Sequence, residues 1–76
     1  MRTQIKRLYD AVVGYYPQSI QYNENNVEVW YMGEELFQIR IDGEPIHSAQ
    51  RTRIKSILKD WMEGKRELEN GFLWKK

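Results

Sequence analysis

The sequence predicts a two-layer α+β domain of order α-β-β-β-α, with both helices packed on one face of a three-stranded antiparallel meander. Three observations predict it. Apolar residues recur at helical spacing towards both ends of the chain, they alternate with polar ones through the middle, and turn formers separate the alternating runs. With 76 residues the chain is a single domain, 1–76, shorter than the usual ~100–200 residues. A chain of this size buries only ~60% of the surface that its unfolded form exposes, so the core is small.

The first helix covers residues 3–16. Ile5, Leu8, Tyr9, Val12 and Tyr16 form its apolar stripe, and Thr3 suits the N-cap. Pro17 stops it, because a residue before proline is driven to extended geometry, and Gly14 offers an earlier end.

Three strands follow, at residues 19–22, 27–32 and 36–42. The run Asn23-Glu24-Asn25-Asn26 closes the first, and Gly33-Glu34-Glu35 joins the second to the third. A three-residue loop there sets Tyr31 opposite Phe37, Val29 opposite Ile39 and Val27 opposite Ile41. The other face then pairs Met32 with Leu36, Trp30 with Gln38 and Glu28 with Arg40. Counting across the first turn places Tyr22 against Val27 and Ile20 against Val29. One face is apolar throughout.

Asp42-Gly43-Glu44-Pro45 reads as a turn or short loop. Ser48 is the expected N-cap of a longer second helix whose stripe is Ile54, Ile57, Leu58 and Trp61, continuing to Leu68 and Phe72. Gly64 interrupts this stripe and Lys65 falls on it, so either the helix stops and restarts or Lys65 snorkels at the core's edge. Asn70-Gly71 reads as a C-cap. The tail Phe72–Lys76 is apolar enough to dock, swap or extend.

Composition narrows the function classes. There is no cysteine, which fits a reducing compartment, and the one histidine is His47. No run approaches ~18 apolar residues, and Met1–Arg7 leads into an amphipathic stretch instead of a signal-peptide core. A cytoplasmic protein without membrane contact is the expectation. His47 is expected in an exposed loop, and a lone histidine makes a poor metal site. The adjacent Glu34 and Glu35 lack the contrast of environment that acid–base pairs need, and the glycines are scattered singly. We therefore expect no catalysis, no cofactor and no metal.

The net charge of +1 conceals an asymmetry. Residues 1–17 carry three basic side chains against one acidic, residues 18–46 one against six, and residues 47–76 eight against four. The ends are basic and the middle acidic, which bears on partners rather than on fold.

Three surfaces could bind. The first is the sheet face left bare by the helices, with Trp30, Met32, Leu36, Gln38 and Arg40, alongside Ser19, Gln21 and Glu28. An exposed apolar patch of this kind marks an interface unless Phe72, Leu73 and Trp74 fold back over it. The second is a basic stripe of Arg51, Lys55, Lys59 and Arg66 on the second helix, with Arg2 and Lys6 placed similarly on the first. It would meet phosphates or an acidic partner, or else be a solvated helix face. The third is the acidic middle, Glu24, Glu34, Glu35, Asp42 and Glu44, either a contact for a basic partner or a set of solubilising turns. The leading expectation is a protein-binding module of adaptor or inhibitor type, able to form a homodimer through the bare face or a sheet edge. The alternative is a nucleic-acid-binding domain.

Overall fold

The computed structural model describes residues 3–76. Its elements are α1 (Thr3–Gly14), β1 (Gln18–Tyr22), β2 (Asn25–Gly33), β3 (Leu36–Ile41), β4 (Glu44–Gln50), α2 (Arg51–Met62), β5 (Arg66–Glu69) and β6 (Phe72–Lys75). Strands β1 to β4 form one antiparallel sheet in sequence order, and β5 pairs with β6 as a separate hairpin. The α+β class and the meander stand, with more strands than the sequence predicts.

The central register agrees with the sequence reading: Val27 faces Ile41, Val29 faces Ile39 and Tyr31 faces Phe37. Alternation is strict here because one face is buried, and a one-residue slip would turn every apolar side chain to water. A bulge at Met32 corrects the last pair, so that Leu36 faces Gly33 instead. The first hairpin also needs correction. Its turn is the two residues Asn23-Glu24, both at positive φ, so Ile20 faces Val27 and Tyr22 faces Asn25. That is a shift of two residues, so each side chain keeps its expected face.

The fourth strand occupies the segment expected to be loop and cap. Asp42 and Gly43, both at positive φ, form a hairpin turn, and β4 returns along β3. Ser48 is a strand residue facing Gln38, and the position before α2 is Gln50, which makes no side-chain cap. Pro45 is tolerated because β4 is an edge strand with a bulge beside it.

α1 packs on β1 and β2, α2 packs on β3 and β4, and the helices pack on each other. Ile5, Leu8 and Val12 of α1 and Ile54, Leu58 and Trp61 of α2 are fully buried with Val27, Val29, Phe37 and Ile39 of the sheet. Both helices therefore cover one face. α2 ends at Met62, with Gly64 at φ +83 just beyond. The expected helical continuation is instead the β5–β6 hairpin, and Asn70-Gly71 is its turn, not a helix cap. Leu68 and Leu73 bury their side chains in the same core, and Tyr22 meets Trp61 edge-on at 4.9 Å.

Candidate interaction surface

Nothing in the described chain covers the outer face of the meander, where Trp30 lies at its centre, 41% exposed. The Arg40 guanidinium sits 3.9 Å above the indole ring, diagonally across the β2–β3 register. Trp30 Nε1 donates to Glu28 Oε1 at 2.6 Å, and Asn26 Nδ2 donates to the other oxygen of that carboxylate. Arg40 Nε donates to Gln38 Oε1, whose amide nitrogen donates in turn to Ser48 Oγ. The chain of bonds fixes the rotamers of an aromatic, a cation and an anion on a flat surface. A hollow of about 410 Å³, lined by Pro17, Gln18, Ser19, Glu28, Val29 and Trp30, opens at the rim of this face.

A second group lies at one end of the molecule, around the tip of the β2–β3 hairpin. Pairing with β1 stops at Val29 while β2 runs on to Gly33, so the last residues of β2 project past the sheet's first strand. Tyr31, Met32 and Leu36 are exposed there, together with Tyr15 and Tyr16 from the end of α1. Tyr15 ends the helix in the left-handed region at φ +62. Tyr16 N donates to Ala11 O and Tyr15 N to Val12 O, the bond pattern of a Schellman cap, which ordinarily has glycine where Tyr15 stands. Gly14 precedes the cap position, and the Tyr16 ring lies over it, where a Cβ would come within 2.7 Å of the ring. The Tyr15 ring meets Tyr31 edge-on at 5.8 Å, and its hydroxyl donates to Glu35 Oε2 at 2.7 Å. That bond raises the phenol above its ordinary pKa of 10.0. The sequence reading gave Tyr15 no role, since only the backbone shows it left-handed.

Comparison of the chain with protein families, curated proteins and solved structures finds no match. Its surfaces must speak for themselves.

The basic stripe is dispersed. Arg51 Nε and Nη2 donate to the carbonyls of Val12 and Val13 at the end of α1, and its guanidinium lies 4.5 Å from the Tyr15 ring centre. Arg66 is on β5, only 5% exposed, with Nη1 donating to Leu73 O and Nε 3.8 Å from Asp60. It leaves the stripe because α2 stops before reaching it. Lys55 and Lys59 remain on α2. Lys6 pairs with Asp10, while Arg2 lies outside the described residues.

His47 is likewise not an exposed loop residue. It is a half-buried position of β4 opposite Ile39, with its ring 5.5 Å from that of Phe72 and a buried Nε2 that has no hydrogen-bond partner among the described residues. Burial holds the imidazole below its ordinary 6.5, and the Arg66 and Arg53 guanidiniums push the same way. Phe72 and Leu73 thus join the helix side of the sheet, leaving the Trp30 face bare. No group of three or more metal-ligating side chains occurs among the described residues, and no helix there is long and apolar enough to cross a membrane.

Proposed function

We propose that this chain is a small protein-binding module, of adaptor or inhibitor type, without chemistry of its own. One observation carries the reading. A four-stranded sheet presents an uncovered face whose central tryptophan is held rigid between Arg40 and Glu28. Tryptophan and arginine are the residues that most often anchor protein interfaces, and a side chain already fixed loses less entropy on binding. The exposed aromatic end around Tyr15 and Tyr31 lies on the other side of the sheet, against Phe37, and is separate from that surface. The nucleic-acid reading loses support because Arg66 is buried and Arg51 is engaged with the carbonyls that end α1. A cytoplasmic setting belongs to the proposal, as does self-association through the same face.

The test compares the wild type with a Trp30→Ala, Arg40→Ala double variant. Partner capture from the source cell and sedimentation in solution are measured side by side. Loss of the partner or of self-association, with the circular dichroism spectrum retained, is expected. Unchanged capture and unchanged mass would count against the reading.

A further inference from the structure

We propose that β4 is the pairing edge of a homodimer, in which two copies of the chain join their sheets antiparallel through Ser48 and Gln50. This goes beyond the protein-binding reading, which places partners on the Trp30 face, and it uses another surface. β4 lies at the end of the sheet and pairs on one side only. His47 and Ala49 face Ile39 and Phe37 in the register, and Arg51 N donates to Glu35 O just beyond them. Backbone groups alternate in direction along a strand, so residues 47, 49 and 51 turn towards β3 while Ser48 and Gln50 turn outwards. The Ser48 N–H and C=O and the Gln50 N–H have no partner among the described residues. Such a row is a template for a further strand. The opposite edge is more closed. β1 has five residues, and the N–H of Ser19, one of its outward positions, donates to Gln18 Oε1. β4 has seven residues with no lysine or arginine among them. Its Pro45 and bulge, which guard an edge against pairing, stand at its start, and positions 47–50 beyond them pair regularly with β3.

Self-complementarity selects a second copy as the occupant. A two-fold axis at Ser48 sets that residue against Ser48 of the second copy, Gln50 against its Ile46, and His47 against its Ala49. The small Ala49 side chain leaves room for the imidazole and for the Phe72 ring beside it. The same axis brings Glu44 of each copy to the start of the other's α2, where Arg53 is exposed. Neither Glu44 nor Arg53 has an ion-pair partner among the described residues, so the dimer gains this pair twice. An identical copy supplies the ladder and both charges at once, which an unrelated strand does not. The axis stands perpendicular to the sheet. All four helices therefore lie on one side of the joined sheet, and both Trp30 faces stay open on the other.

The test follows the mass of the full chain by sedimentation across concentration, together with amide hydrogen exchange. A doubled mass is expected in concentrated protein, with exchange at Ser48 and Gln50 slowed about tenfold or more relative to dilute protein. Ser48→Lys sets two cations together on the axis, removes no core atoms, and should abolish the dimer. Glu44→Arg and Arg53→Glu should each weaken pairing roughly tenfold, and the two combined should return it to within about twofold of the wild type. Circular dichroism checks that every variant is folded. A monomer at all concentrations, a dimer that survives Ser48→Lys, or a combined charge swap that restores nothing overturns the proposal. The Trp30→Ala, Arg40→Ala variant should pair normally, because both residues lie away from the edge. Loss of pairing there would move the contact to the bare face and overturn the edge assignment. Partner capture by that same variant decides the protein-binding reading independently of the pairing.

Discussion

Tyr15 holds a backbone conformation that its own chemistry disfavours, and His47 sits where the fold resists its protonation. For Tyr15 the cost is in the backbone. A left-handed L-residue sits roughly 1–2 kcal/mol above its right-handed alternative, and glycine escapes most of this. Comparing Tyr15→Gly with Tyr15→Ala isolates that cost, because both lose the ring and its contacts to Tyr31, Glu35 and Arg51. We expect the glycine variant to be the more stable by about 1 kcal/mol in denaturant unfolding. For His47 the cost is in protonation. The fold favours the neutral imidazole, so below the ordinary value of 6.5 the unfolded chain binds the proton more readily than the folded one. Stability is then fully present above pH 6.5 and falls as pH drops below 6.5 towards the lower folded value. Melting the wild type and His47→Leu across that range should show a steeper acid loss in the wild type.

At the scale of elements, hairpin turns decide the architecture. Asp42-Gly43 and Asn70-Gly71 carry positive φ at both residues, the geometry that matches the right-handed twist of paired strands. Gly71 stands at φ +78 with open space around it, so a methyl group there meets backbone strain and no clash. Gly71→Ala should lower stability by about 1 kcal/mol in a thermal melt, with slower hydrogen exchange lost first across β5 and β6. These two turns also mark where the sequence was hard to read. β4 includes Pro45, which argues against an interior strand but is acceptable at a bulged edge. Leu68 lies seven residues after Trp61 and so continues the helical stripe of α2 by number alone. Periodicity cannot distinguish that from a short strand, whereas the Asn-Gly pair could have. The β2–β3 register was legible because its alternation is long and one of its faces is buried at Val27, Val29, Phe37, Ile39 and Ile41.

Across the whole molecule, one face of the sheet carries the stability and the other carries the surface available to partners. Phe37 and Trp30 lie on adjoining strands of the same sheet, the first fully buried and the second open on the bare side. Phe37→Ala should cost about 3–5 kcal/mol through the cavity it leaves. Trp30→Ala should stay within about 1 kcal/mol of the wild type, since it removes an exposed stack and no core atoms. Chemical denaturation of the two variants checks this division. Of the candidate surface, Trp30, Met32, Leu36, Gln38 and Arg40 were legible as face-mates from alternation. The Glu28–Trp30–Arg40 clamp was not, because it runs diagonally between strands and along β2.

The sequence by itself determined the α+β class, the central register and which side chains of the meander point inward. Those follow from the two-residue period of a strand and the repeat of a helix, which are properties of the local chain. The tertiary structure alone decided that a fourth strand closes the sheet, that Arg66 and His47 are drawn towards the core, and that Arg51 is spent at the end of another helix. These depend on neighbours distant in sequence. A basic residue looks the same in a sequence whether it meets solvent or a carbonyl thirty-nine positions away.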